Sequence, residues 1–313
     1  MKGEVAVQGF ECFALNGVSL NGRLLICFDS SWPGADARVE LLSCAAQRMK
    51  LPALAFDTQQ FDYSQLQKWR CGPSDLFYAA TPFTCQELER SLFFKNVTSF
   101  YSTNSFPNVL NKSTSECNSA LLASDVSMPK TIVEGTNDLN LLDRYVEFLG
   151  GFPVVLKVKG GSKGLGVIKV DTWMGLTSLA DYLVFGEQSF VISQYIENQG
   201  TIRSVVLGDD ILCHVMRVNP ENEFRCSSPN RMAAEEIVKP NPRLDAIAIA
   251  ARKVVQFEFI GVDIIQDVDG NYYVLEVNFP QDFVTPQKFT GVDIAHAAVS
   301  YLHGKAQIKG REQ

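Results

Sequence analysis

The segment FIGVDIIQDVDGNYYVLEVNFPQDF, residues 259–283, restricts the possible folds more than any other stretch of the chain. Asp-Gly between two apolar runs is a strong hairpin signal and predicts a two-residue turn at Asp269 and Gly270. Such a turn sets Val268 opposite Asn271 and carries Asp263 to a place directly across from Glu276. Asn278 then lies two residues further along the same face, because strand side chains alternate. Val262, Ile264, Leu275 and Val277 fall on the other face and are expected in the core. Like charges facing each other across a sheet repel, more so beside apolar neighbours such as Ile265 and Val274. A divalent cation offsets that repulsion. Two carboxylates with an amide oxygen suit Mg²⁺ that keeps waters and phosphate oxygens as its other ligands. The plainer alternative is an acidic face solvated by water, which the apolar character of both faces disfavours. On the metal reading, neutralising either carboxylate should slightly stabilise the metal-free chain.

A second stretch, FPVVLKVKGGSKGLGVIKV at residues 152–170, places Gly160, Gly161, Gly164 and Gly166 between two short β-branched runs. One or two glycines suffice for a simple turn, so four point to a backbone left bare for close approach. The segment lacks the spacing of a Walker loop or of a dinucleotide fingerprint, and a strand rather than a helix follows it. Backbone N–H groups at a hairpin tip can still cradle phosphate. Lys157 sits inside the apolar run VVLKV, where an ammonium is costly unless it meets an anion. Lys163, within the loop, is placed as a second phosphate contact. An ordinary hairpin with two surface lysines is the alternative that this stretch leaves open.

With 313 residues the chain is long enough for two or three cores. The formal charge of −7 and the absence of a basic block argue against a nucleic-acid partner. No apolar run reaches the roughly 18 residues that a membrane span requires. The N-terminus carries Glu4 and Glu11 without an apolar stretch, so no signal peptide and no membrane are expected. Eight scattered cysteines without a CxxC pair read as reduced thiols of a cytoplasmic protein. His214, His296 and His303 are too scattered for a zinc site. Cys226 has no His or Asp close by in sequence, and no Ser–His–Asp or Cys–His set is expected.

Alternating strands and helices (RLLICF, ARVELLSCAAQRM, PALAFD, DLFYAAT, TCQELERSLFF) predict a small parallel α/β unit over residues 1–106. A helix at STSECNSALLASD, a strand at KTIV, a helix at NDLNLLDRYVEFL and the glycine hairpin make a second unit, 107–188. A third unit, 189–313, is rich in strands, with helices at NPRLDAIAIAARKVV and VDIAHAAVSYLH.

Loop and acidic hairpin together resemble the ATP-grasp superfamily, and most closely its RimK-type glutamate ligases. VVLKVKGGSKGLGV is similar to the lid of that family. ISQYIENQGTIRSVVLGDDIL is similar to its hinge and following strand, and GVDI, EVN and TGVDIA to its metal strands and a further motif. The likeness covers about residues 107–303. It implies an α/β (α+β) ATP-grasp fold: an N-terminal parallel pre-ATP-grasp domain, a lid subdomain and a C-terminal antiparallel-sheet subdomain.

The resemblance also implies roles. Lys112 and Lys157 bind the nucleotide phosphates, and the loop Gly160, Gly161, Ser162, Lys163, Gly164 and Gly166 closes over them. Gln194, Tyr195 and Ile196 form the hinge against adenine, with Glu197 a ribose contact. Arg203, with Lys157, stabilises the transferring phosphoryl group and the acyl intermediate. Asp263, Glu276 and Asn278 hold Mg²⁺, with Mn²⁺ as an alternative ion. Arg225 and Arg231 resemble an arginine-containing substrate loop, with a solvated loop as the alternative. The implied reaction is ATP-dependent joining of a carboxylate substrate to an amine substrate, an amino acid or peptide, through an acyl phosphate. A binding protein of this fold without ligase activity, or phosphotransfer to a non-carboxylate acceptor, are the competing readings. RimK-like ligases commonly assemble, so a homo-oligomer is also implied. Two departures stand out: Thr201 replaces an acidic residue, and FPQDF follows the EVN motif where small residues are usual.

Overall fold

The computed structural model describes residues 22–64, 69–81, 86–100, 114–160, 164–226 and 233–311. The first three strands, β1 (Leu24–Phe28), β2 (Ala53–Asp57) and β3 (Leu76–Ala79), form a parallel sheet in the order β2-β1-β3. Every residue of β1 is buried, as befits a central strand covered on both faces. Helix α1 (Ala35–Arg48) packs on one face and α2 (Gln86–Phe94) on the other.

A four-stranded sheet follows, ordered β4-β7-β5-β6. Its strands are β4 (Thr131–Ile132), β5 (Val154–Val158), β6 (Val167–Val170) and β7 (Phe190–Gln194). Helices α4 (Leu139–Leu149) and α5 (Trp173–Phe185) bury Leu142, Leu149, Leu176, Ala180 and Leu183 against Val154, Leu156, Phe190 and Ile192. Asp138 caps α4 by accepting from Leu141 N, and Gly150 closes it in the left-handed region. Helix α5 was not anticipated from its pattern, although Thr172 caps it through Gly175 N.

The third sheet is antiparallel and runs β10-β9-β8-β11-β12, built from β8 (Gly200–Leu207), β9 (Asp210–Val218), β10 (Glu235–Ile237), β11 (Phe259–Gln266) and β12 (Tyr272–Asn278). Helices α3 (Thr114–Leu122) and α6 (Pro242–Val255) cover one face, where Ile202, Val206, Ile260, Val262 and Ile264 meet Leu121, Leu244, Ala248 and Ala251. Val205, Leu207 and Phe259 point the other way, into a core shared with β1, α1 and the last helix, α8 (Ile294–Arg311). A short helix, α7 (Val284–Thr290), precedes α8.

Packing groups these elements differently from the divisions at 106/107 and 188/189. β7 pairs with β5 and so stays with the four-stranded sheet. Helix α3 contributes Cys117 and Leu121 to the core of the five-stranded sheet, and α8 closes the N-terminal core. In each case apolar side chains distant in sequence choose the partner.

The hairpin of β11 and β12 differs from its expected turn. Asp267 N donates to Asn271 O and Gly270 N to Asp267 O, with Gly270 at φ 81°, so three residues rather than two form the connection. A bulge between Asp263 and Ile264 then shifts the register by one. The two differences cancel: Asp263 still faces Glu276, Val262 faces Val277 and Gly261 faces Asn278. The bulge leaves Leu275 half-buried, and Val274 takes the core place expected for it.

Candidate functional site

Alternation along β8 and β11 puts Arg203, Gly261 and Asp263 on the face turned away from α6. Arg203 and Asp263 are direct register partners, each 7% exposed. Arg203 donates through Nε to Asp263 Oδ1 at 2.5 Å and through Nη2 to Oδ2 at 2.8 Å, a two-pronged ion pair. Burial works to raise the Asp263 pKa, but the charge and hydrogen bonds of Arg203 outweigh it and hold the carboxyl below its ordinary range. The sequence pattern set Asp263 against Glu276; the structure adds this arginine between the acid and its repulsion.

Among the described residues, Glu276 has no such partner of its own. Burial, and then the Asp263 charge, push its carboxyl above the ordinary range. Asn278 Nδ2 donates to Asp263 Oδ2 at 3.2 Å and to Glu276 Oε1 at 3.3 Å, so all three predicted ligand residues converge. Turning the Asn278 amide over exchanges its donor for an oxygen acceptor. Two carboxylates, one of them under-neutralised, plus an amide oxygen form a hard-donor set that fits Mg²⁺. Among the described residues no group of three His, Cys, Asp or Glu makes a rival metal site.

Lys157, on the four-stranded sheet, lies near enough for its charge and that of Glu276 to act on each other. It stands on β5 opposite Val167 and Val191. Burial lowers its ammonium pKa, and the Glu276 charge works against that fall. The beginning of β6 lies just beyond, where Gly160, Gly164 and Gly166 have φ of 85°, 76° and 77°. Among the described residues, nothing lies within 4 Å of a Cβ added at Gly160, which fits a backbone kept open toward a ligand. Gln194, at the end of β7, accepts from Lys130 N at 3.4 Å. Tyr195 and the buried Ile196 lead from there into β8, and Glu197 is exposed. Lys112, Gly161, Ser162, Lys163 and Arg231 lie outside the described residues.

Arg225, expected in a substrate loop, lies beside the glycine hairpin. Its guanidinium is held by Glu223 and by two carbonyls of the glycine hairpin.

Two features had no legible signal in the sequence. Gln281, from the unusual FPQDF segment, is 1% exposed and accepts from Arg203 Nη1 at 3.2 Å. Gly261 makes room for it, since a Cβ there would lie 1.8 Å from Gln281 Oε1. Asp282 pairs with Arg38 of α1 at 3.3 Å, and Tyr78 of β3 donates to Gln281 O at 3.4 Å, so the parallel sheet braces this segment. The second feature is a hydrogen-bonded Ser–His–Asp chain that was not expected. Ser204 Oγ and His214 Nδ1 are 2.8 Å apart, as are His214 Nε2 and Asp245 Oδ1. A carboxylate at Nε2 places the ring proton there, so Ser204 donates to Nδ1. Ser204 is fully buried on the α6 face, which makes the chain a strut between sheet and helix rather than a nucleophile.

The RimK-like ATP-grasp domain matches residues 111–302, and the chain belongs to that family. A probable alpha-L-glutamate ligase of Ectopseudomonas mendocina (strain ymp) is 30% identical over 173 residues, 53% of this chain and 57% of the relative. Another, of Trichodesmium erythraeum (strain IMS101), is 28% identical over 201 residues, 62% of this chain and 66% of the relative. The matched stretches thus span between about half and two thirds of these relatives' lengths. Among solved structures, the ATP-grasp ligase PsnB complexed with a phosphomimetic variant of its minimal precursor, Mg and ADP superposes with a TM-score of 0.67. It is 17% identical, over 92% of this chain and 100% of that one. D-alanine–D-alanine ligase from Bacillus anthracis gives 0.64 at 16% identity, over 93% and 100%. At these identities the likeness is one of fold, and the fold is ATP-grasp.

Proposed function

We propose that the chain is an ATP- and Mg²⁺-dependent carboxylate–amine ligase, joining an acid and an amine, such as an amino acid and a peptide, through an acyl phosphate. The observation that carries this reading is the hydrogen-bonded cluster of Arg203, Asp263, Glu276 and Asn278 on one sheet, with Lys157 of the other sheet within reach of the Glu276 charge. Asp263, Glu276 and Asn278 would hold Mg²⁺, which when bound screens the nucleotide phosphates and draws charge from the transferring phosphoryl group.

The protein's own contribution is positioning and electrostatics. Lys157 and Arg203 present fixed positive charge where negative charge builds during phosphoryl transfer. Gly160, Gly164 and Gly166 let the hairpin backbone approach phosphate closely and exclude water from the acyl phosphate. Gln194, Tyr195 and Ile196 offer backbone and a ring edge to the base, with Glu197 within the same connection. Gln281 fixes the third nitrogen of Arg203 and so keeps its fork aimed along the sheet. No side-chain nucleophile is required, which agrees with the sealed Ser204.

The purified protein should be incubated with ATP, Mg²⁺ and pooled amino acids and short peptides, with ADP and new amide mass measured together. ADP formation that depends on both an acid and an amine is the expected result, and added hydroxylamine should trap a hydroxamate. Nucleotide binding without turnover in any mixture would instead assign a binding role. Phosphate transfer to a hydroxyl acceptor without hydroxamate would assign a kinase.

A further inference from the structure

The connection after β9 carries Glu223, Phe224 and Arg225, three consecutive residues that touch both parts of the proposed nucleotide cleft. Arg225 donates through Nε and Nη2 to the two oxygens of Glu223 at 3.0 and 2.9 Å. Its Nη1 donates to the carbonyls of Gly164 at 3.0 Å and Val167 at 3.2 Å, at the turn end of the β5–β6 hairpin. The Phe224 ring meets Tyr195 of the hinge edge-on at 6.4 Å between centroids. Lys169 of β6 lies over the same tyrosine at 4.7 Å. Hinge, hairpin and strap are therefore one contact network.

The chemistry of this contact is specific. Gly164 lies in the glycine-rich turn and Val167 opens β6, so Arg225 holds the turn end of the hairpin from outside, alongside the Lys159–Glu134 ion pair where the turn begins. Glu223 accepts from two nitrogens of the fork and so presets its orientation, leaving Nη1 to bridge two backbone oxygens. A lysine could neither bind Glu223 with two prongs nor reach both carbonyls in the plane of one group. With Nε and Nη2 on Glu223 and Nη1 on two carbonyls, one Nη2 N–H is left, so Arg225 can grip a substrate carboxylate with two prongs only by releasing one of these partners.

We propose that Arg225, oriented by Glu223, is a positioning residue that latches the glycine hairpin to the hinge through Phe224 and Tyr195, so that nucleotide leaves only when the Arg225–carbonyl bonds break. The inference rests on the nucleotide-site reading above. It predicts a kinetic signature: loss of the latch speeds nucleotide release more than it slows binding.

The test is stopped-flow release of a fluorescent ADP in Mg²⁺ from the full chain, chased with excess ADP. Arg225→Ala should release it about tenfold faster, the scale of one or two charge-assisted hydrogen bonds. Arg225→Lys should fall between this variant and the unaltered protein, and Glu223→Gln should shift the rate in the same direction by less. Thermal melts show which variants fold, and Arg225→Lys keeps the test alive should the alanine variant not. Release within about twofold of the unaltered rate in both Arg225 variants overturns the latch. Lys157→Ala separates the two levels of the reading. If it weakens ADP binding while the Arg225 variants release normally, the latch alone is wrong. If the unaltered protein holds no ADP, or Lys157→Ala binds as tightly as it does, the nucleotide-site reading fails and the latch with it.

Discussion

Two antiparallel hairpins contribute residues to the proposed site, and they are built on opposite principles. In the β11–β12 hairpin the turn is self-sufficient. Asp267 Oδ1 accepts from Asn271 N at 2.7 Å and Asp269 N at 3.0 Å, while Oδ2 accepts from Asn271 Nδ2 at 3.0 Å and Tyr273 OH at 3.2 Å. The proposed metal-binding residues lie at the far end, fixed by register between paired strands. In the β5–β6 hairpin the part proposed to act is the turn itself, rich in glycine and held from outside by Arg225. On the proposed reading, charges that must not move are placed on paired strands, and a backbone that must approach a ligand is given glycines.

The largest effects should come from breaking the rigid partner. Asp263→Asn and Glu276→Gln should each lower turnover at least about a thousandfold, since the ion that screens the phosphates loses a ligand. Their stabilities should move in opposite directions, contrary to the expectation that both gain. Asp263→Asn leaves Arg203 buried without its counter-charge, a loss on the order of 3–5 kcal/mol. Glu276→Gln removes the repelled acid and should raise the melting temperature of the metal-free protein. Denaturant melts in chelator distinguish the two, and a destabilised Glu276→Gln would show that Glu276 is not under repulsion.

The pH dependence follows with its sign. The raised folded pKa of Glu276 gives a contribution to stability that is fully present below its ordinary value of 4.5 and fades as pH rises through the folded value. Asp263 runs the other way: its contribution is present above 3.8 and disappears as pH falls through its lowered folded value. In chelator, Glu276→Gln should therefore flatten the decline in stability between acid and neutral pH, and Mg²⁺ should do the same for the unaltered protein at neutral pH.

A matched pair of glycines sharpens the contrast at smaller scale. Gly160 and Gly270 sit at φ 85° and 81°, one in each hairpin turn. Alanine at either should cost about 1–2 kcal/mol of backbone strain. Only Gly160→Ala should also weaken nucleotide binding, measured by calorimetry; equal nucleotide affinity in both variants would remove the glycine turn from the site. The smallest effect is expected at Ser204→Ala, which loses about 1 kcal/mol of stability from one buried hydrogen bond and keeps turnover within about twofold. A large loss of turnover there would revive Ser204 as a participant in the chemistry.

Much of the β11–β12 hairpin was legible because its information is local. Asp-Gly bends the chain, alternation sorts the faces, and Asp263 meets Glu276 even though a longer turn and a bulge replace the simple turn. The glycine hairpin was equally readable, through residues that only a bare backbone explains. Helix α5, by contrast, hid in a run whose apolar residues are not confined to one face, and the Ser204–His214–Asp245 chain could not be seen because its members come from two strands and a helix.

By itself the sequence determined which side chains share a face within each hairpin, and with them the convergence of Asp263, Glu276 and Asn278. Only the tertiary structure decided that Arg203 takes Asp263, that Gln281 fills the space above Gly261, and that Arg225 holds the glycine turn. Neighbours within a hairpin are fixed by steric rules over a few residues. Pairing between distant segments is chosen by the summed burial of whole apolar faces, which leaves no mark on any one stretch of chain.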